Sequence, residues 1–155
     1  MSKSLTTVGW REWCGLPSIG IPAIKAKVDT GATTSTLHAI DIKPYDNDGK
    51  LFVKFLCHPI QKNTKLYVAC DAEVIEMRDV TNSGGYTENR YVIKTEITLQ
   101  NRKFLTELTL TNRSTMGYRM LLGRETLRHG YLVDSSKSFL LGTRTREESL
   151  KLYQD

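Results

Sequence analysis

Cysteine is scarce in this 155-residue chain. The three present, Cys14, Cys57 and Cys70, are odd in number and show no C-x-x-C spacing. That excludes a disulfide framework and points to reduced thiols in a cytosolic protein. No apolar run approaches the length needed to span a bilayer, which argues against a membrane partner. The segment Met1-Ser2-Lys3-Ser4-Leu5-Thr6-Thr7 lacks the apolar core of a secretory signal, so the expected compartment is the cytoplasm. There is no His-Glu-x-x-His, no paired cysteine motif and no Gly-x-x-x-x-Gly-Lys-Ser/Thr phosphate loop. His38, His58 and His129 fall on separate elements and read as ordinary side chains. Cys57 and His58 are adjacent, which on a strand turns them to opposite faces. Neither a metal nor any other cofactor is therefore expected. Repeats, linkers and low-complexity tracts are also missing.

What is present describes one soluble domain over residues 1–155, with a core at about 7–141 and a charged tail at 142–155. Hydrophobic residues make up 39% and charged residues 25%, ordinary values for a globular chain long enough to bury a core. The net charge, 22 − 17 = +5, favours acidic partners. A nucleic-acid role would need aromatics interleaved with Lys and Arg for base stacking. Phe52, Phe55, Tyr91 and Phe104 fall within apolar patterns instead, so no nucleic-acid partner is expected.

The patterning is that of many short strands. Residues 6–13 alternate loosely and suggest an edge strand, and residues 15–20 a turn. Residues 34–40, 51–57, 66–70, 72–77, 90–99 and 104–110 all read as strands. The cluster Pro44-Tyr45-Asp46-Asn47-Asp48-Gly49 reads as a turn. Met120-Leu121-Leu122-Gly123 is a short apolar run of the kind buried on both faces. Residues 124–129 suggest a short helix that Gly130 ends. Residues 131–133 and 138–141 suggest a last hairpin, with a helical or loose tail after it. Close-set strands with one short helix near the C-terminus imply a closed, all-β architecture.

One stretch stands out. Ile24, Ala26 and Val28 alternate with Lys25 and Lys27, and the strand then stops at Asp29-Thr30-Gly31-Ala32. Glycine there permits a tight turn and close backbone approach, leaving a carboxylate at the end of a rigid strand. The tripeptide alone is equally consistent with a local turn in which Asp29 merely accepts amide hydrogen bonds. Its context adds a glycine-tipped hairpin around Ser83-Gly84-Gly85, then the apolar Leu121-Leu122-Gly123-Arg124 segment entering a helix.

This order resembles the retropepsin-like aspartic peptidases. Gly9-Trp10-Arg11-Glu12, Ala26-Lys27-Val28-Asp29-Thr30-Gly31-Ala32, Thr34-Ser35-Thr36-Leu37-His38-Ala39, residues 78–90 and Met120-Leu121-Leu122-Gly123-Arg124 are similar to one bacterial family. That family is often labelled an ATP-dependent zinc protease and is now regarded as retropepsin-like. The resemblance runs from about residue 7 to residue 141 and implies a closed β-barrel of the acid-protease type.

It also implies a mechanism. Two carboxylates share one proton, because like charges a few ångströms apart resist joint ionisation. The chain has a single Asp-Thr/Ser-Gly, and Asp134 before Ser135-Ser136 lacks the glycine. The second Asp29 is thus expected from another copy, making a homodimer with one shared site. By resemblance Thr30 bonds across the two-fold axis, Gly31 admits substrate backbone, Ala32 avoids intrusion, and Gly123 and Arg124 support the loop. Arg78, Ser83, Gly84, Gly85, Glu88 and Arg90 form the flap. With Lys27, Arg113 and Arg124 nearby, its charges suit an acidic peptide, although Arg78, Glu88 and Arg90 also fit ordinary surface ion pairs. For Arg124 the alternative is a salt bridge that supports the loop. Family members also resemble partners of ATP-grasp ligases that add glutamates to a protein tail. The competing reading is a non-catalytic binding module for acidic peptides on the same fold.

Overall fold

The computed structural model describes residues 5–154. Eleven strands and two helices follow one another in it: β1 (Thr6–Val8), β2 (Arg11–Leu16), β3 (Ile21–Val28), β4 (Ser35–His38), β5 (Ile40–Asn47), β6 (Lys50–Cys57), β7 (Val68–Thr81), β8 (Thr87–Leu99), β9 (Arg102–Thr111), β10 (Met120–Leu122), α1 (Arg124–Leu127), β11 (Tyr131–Val133) and α2 (Arg146–Leu152). The protein is mostly β, and no described helix is long and apolar enough to cross a membrane.

Nine strands form one sheet in the order β2-β3-β10-β4-β9-β8-β7-β6-β5, and β2 also bridges β8 at Gly15 and Thr98. Strands β2, β3, β10, β4, β9 and β8 thus make a ring, from which β7, β6 and β5 extend. The bridge needs Gly15, because a Cβ there would lie 2.6 Å from the Thr98 hydroxyl oxygen. The core fills with the inward positions of these strands, including Ile24, Ala26, Leu37, Ile93, Ile97, Leu108, Leu110, Met120 and Leu122. The apolar run at 120–122 forms β10, flanked by β3 (parallel) and β4 (antiparallel).

Several expectations are corrected. Residues 6–13 are not one edge strand: β1 breaks away to pair in parallel with β11, and β2 starts at Arg11. Gly9 makes this break possible, since a Cβ there would strike the Lys137 carbonyl at 2.3 Å. Residues 138–141 are not a strand, so there is no final hairpin; Phe139 has a left-handed φ of 56° and Gly142 one of 140°. The turn expected at 44–49 is mostly strand. Strand β5 runs on to Asn47, and only Asp48 and Gly49 turn, at φ 53° and 81°. Pro44 is tolerated because β5 ends the sheet order, where a missing N–H costs no ladder bond. The two strands expected at 66–70 and 72–77 are one long strand, β7, carrying a register shift between Val74 and Glu76.

The tail holds a second helix. Thr145 and Glu148 form a reciprocal capping box, and the Tyr153 hydroxyl donates to the Ala23 carbonyl. The tail thereby docks on β3 of its own chain. All three cysteines are buried and unpaired, and burial pushes the Cys14 and Cys70 thiols up to about 12.

Candidate active site

The Asp29 loop is fixed from both flanks. The N–H of Val28 donates to the Trp10 carbonyl at 2.7 Å, and the N–H of Asp29 donates to the Leu122 carbonyl at 2.9 Å. Beyond the turn, Arg124 N–H bonds the Ala32 carbonyl at 2.8 Å and Glu125 N–H bonds the Thr33 carbonyl at 3.0 Å. The start of α1 and the loop are therefore stitched together through their backbones. Gly123 sits at the join, because a Cβ there would lie 2.7 Å from the carbonyl carbon of Thr34.

Beneath the join lies a buried chain of hydroxyls. The Thr106 and Thr126 hydroxyls lie 2.7 Å apart, Thr126 bonds Ser35, and the Ser35 oxygen accepts from the N–H of Gly123 at 3.0 Å. The network is buried with every member partnered, the condition under which such a network rigidifies a site.

The Asp29 side chain is half-buried. Its Oδ1 accepts the N–H of Gly31 at 2.9 Å, and no hydrogen bond among the described residues uses Oδ2. A Cβ on Gly31 would press to 3.2 Å from Oδ1, which explains the glycine. Ala32 N–H closes the turn on the Asp29 carbonyl at 3.2 Å. Thr30 is exposed, and no described hydrogen bond uses its hydroxyl. Arg124 makes no ion pair among the described residues. Its Nη1 donates to the Thr30 carbonyl at 2.9 Å and its Nη2 to the Thr33 hydroxyl at 3.0 Å, bracing the loop within one chain.

The hairpin of β7 and β8 carries the expected flap residues, with Ser83, Gly84 and Gly85 at an exposed tip. Sequence reasoning missed the organiser of that tip, Asn82. Its Oδ1 accepts the N–H groups of Gly84 and Tyr86 at 2.9 and 3.0 Å. An asparagine two residues before a glycine was the available signal. Arg78 and Arg90 face each other across the strands and are committed within the chain. Arg78 bonds Glu76, Glu107 and the Thr34 hydroxyl, while Arg90 bonds Glu88 and reaches Thr36 and Thr109. Glu88 also accepts from the Thr111 hydroxyl at 2.6 Å. These contacts tie the hairpin's arms to β4 and β9.

A further cation, Arg113, lies within reach of the Asp29 charge. Arg113 donates through Nε to the Tyr118 carbonyl at 2.9 Å. Burial, the foremost influence, lowers its pKa together with Arg90, while the charge of Asp29 acts in the opposite sense. Arg119 is buried just before β10. Sequence reasoning gave Arg119 no role; a charge alternating with Leu121 beside a buried apolar run was its one hint. Glu12 was likewise unassigned. It is fully buried, and its carboxylate accepts the N–H groups of Gly9, Leu140 and Leu141 at 2.7, 2.9 and 3.0 Å, clamping the N-terminal strands to the 138–142 turn. A depression of about 500 Å³ over β5 to β7, lined by Asp41, Lys43, Lys54 and Asp71, includes none of the loop residues.

A "Probable alpha-L-glutamate ligase" of Shewanella halifaxensis is 47% identical over 153 residues, covering 99% of this chain and 33% of that protein. One of the same name from Parasynechococcus marenigrum is 45% identical over 146 residues, covering 94% of this chain and 31% of its own length. The chain thus spans about one third of the curated relatives it matches. Among solved structures, Lpg0085 of Legionella pneumophila, of unknown function, shares the fold with a TM-score of 0.73 at 23% identity, covering 90% of this chain and 99% of that one. The family model described as retropepsin-like aspartic endopeptidase RimB matches residues 7–144, and the chain belongs to that RimB-like family.

Proposed function

We propose that two copies of this chain associate about a two-fold axis and hydrolyse a peptide or amide bond with Asp29 from each. In this reading the six-stranded ring is the closed barrel of the acid-protease type. The observation that carries the proposal is the Asp29 carboxylate itself. It is set on a backbone-stitched loop, with one oxygen on the Gly31 N–H and the other unclaimed by the described residues. Two such groups brought together share a proton. One takes a proton from the attacking water while the other, protonated, polarises the scissile carbonyl. The exposed Thr30 hydroxyl is available to bond the partner's loop, and Arg124 holds the Thr30 carbonyl in place for it.

The substrate is an acidic peptide. The chain's net charge of +5 and the cations around the loop favour carboxylates. The relatives' printed name, a ligase acting with glutamate, points the same way: a hydrolase of this kind would undo what such a ligase makes. The test pairs sedimentation with cleavage of a glutamate-rich peptide and its glutamine counterpart. The expected result is a dimer that cleaves the acidic peptide faster, with Asp29→Asn inactive but still dimeric. A monomer that remains active, or unchanged hydrolysis in Asp29→Asn, would overturn the reading. Tight peptide binding with no hydrolysis would favour a binding module.

A further inference from the structure

Around β4 and β10 the chain buries positive charge that no described residue neutralises. Arg119 is only 5% exposed, and its Nε and Nη1 are buried with no hydrogen-bond partner among the described residues. The four ion pairs among the described residues do not include it. The register that pairs Leu121 with Thr36 and Met120 with Leu37 continues one step further, so Arg119 lies opposite His38. The N–H of His38 donates to the Arg119 carbonyl at 2.8 Å. Residues opposite each other on antiparallel strands present their side chains on one face.

His38 is fully buried, and its Nδ1 lies 2.9 Å from the N–H of Arg113, which it accepts. The ring's own proton therefore belongs on Nε2, and Nε2 is also buried without a partner among the described residues. Burial first, then the charges of Arg119, His58 and Arg113, depresses its pKa to about 4, so the ring is neutral near pH 7. The face thus holds a permanent cation and a neutral N–H donor, both unanswered. Arginine cannot relieve this by releasing its proton. The group that answers it is an acceptor with negative charge and two oxygens in a plane, to match the guanidinium fork. One fork and one neutral donor suit a monoanion better than a phosphate dianion.

We propose that Arg119 and His38 form a carboxylate-binding pocket distinct from the Asp29 loop. Arg113, which responds to the charges of both Asp29 and Arg119, links the two electrostatically. The occupant is an acidic side chain or terminus of the bound peptide. That identity rests on the function proposed above; the pocket does not.

The experiment uses full-length, ¹⁵N-labelled Asp29→Asn protein, so that binding is read without turnover. Glutarate is titrated against sodium chloride of equal ionic strength while the His38 Nε2 and Arg119 Nε resonances are followed. Saturable shifts with glutarate alone, and a rise in the His38 titration midpoint, are expected. Arg119→Lys, which keeps the charge and should keep the amide spectrum, is expected to weaken glutarate at least tenfold. A glutamate-containing peptide should compete with glutarate, and its glutamine counterpart should not. Equal shifts with chloride, or undiminished binding in Arg119→Lys, would overturn the pocket. Failure of the peptide to compete, or conversion of a dimer to monomers by glutarate, would overturn the peptide as occupant, the latter by indicating an acid of a second copy. None of these outcomes bears on whether the wild type hydrolyses peptide, which is read separately.

Discussion

The Asp29 loop and the hairpin at residues 75–90 draw on the same small vocabulary of threonine, glycine and charge, yet they are held in opposite ways. The loop is fixed by backbone bonds to β10 and α1 and by a buried hydroxyl chain, with the Arg124 guanidinium adding two bonds at its exposed side. The hairpin has its own two-stranded ladder, an exposed tip, two ion pairs within its own strands and one, Arg78–Glu107, to β9. Backbone bonds shielded from water set a position to within fractions of an ångström, whereas exposed ion pairs form and break readily. A reactive carboxylate needs the first kind of support. A cover over it needs the second.

Breaking the loop's chemistry has the largest expected effect. Asp29→Asn should reduce hydrolysis of an acidic peptide by about 10³-fold or more, since both carboxylates of the shared site are replaced. Its effect on stability should be small, about 1 kcal/mol or less, because the side chain makes one hydrogen bond on a half-buried loop. Paired activity and thermal melts check both halves.

The scaffold contrast is sharpest between two glycines. Gly123→Ala drives a methyl into the Thr34 backbone, which has nowhere to go, and should cost about 3 kcal/mol. In a domain of this size that lowers the melting temperature by about 9 °C. Gly85→Ala meets no atom within 4 Å and suffers only its left-handed φ of 81°, about 1 kcal/mol. Calorimetry of the two variants ranks the regions. Equal losses would mean that the hairpin is as tightly integrated as the loop.

The buried face next to β10 adds a pH dependence of its own, set by burial, whereas the hairpin's exposed Glu76 is held below the usual carboxylate range by its bond to Arg78. The folded His38 pKa of about 4 lies below its ordinary 6.5, so the unfolded chain takes up the proton first as pH falls. The contribution is complete above about pH 6.5 and is lost progressively toward pH 4, reaching about 2–3 kcal/mol by pH 4.5. Urea midpoints measured from pH 7 to 4.5 should fall less steeply in His38→Gln than in the wild type.

How much of this could be read in advance follows from the range of each signal. The Asp29 loop, the glycine-tipped hairpin and the Leu121-Leu122-Gly123-Arg124 join are visible because alternation and close-approach glycines are local properties. The parallel pairing of β1 with β11 has no local mark, since its partners are some 125 residues apart in sequence. Pro44 to Gly49 has the composition of a turn, yet an edge position let β5 run through most of it, as far as Asn47. Arg119 and His38 show the same limit at the level of chemistry. One precedes an apolar run and the other ends a threonine-rich strand, and only the β4–β10 register makes them neighbours.

The smallest effect separates the two regions most directly. Arg78 is 27% exposed in its side chain and links the hairpin to Glu107 and to Thr34, five residues beyond Asp29. Arg78→Ala removes ion pairs of a partly solvated kind, worth about 1 kcal/mol or less, and leaves Glu107 exposed enough to hydrate. The melting temperature should therefore move by no more than about 3 °C. Local opening is another matter, because the hairpin has few buried contacts to hold it once its braces are cut. Amide exchange at residues 76–90 should quicken severalfold while exchange at residues 28–36 stays unchanged. If exchange rose equally in both segments, the loop would depend on the hairpin for its order, and the division between a fixed carboxylate and a movable cover would fail.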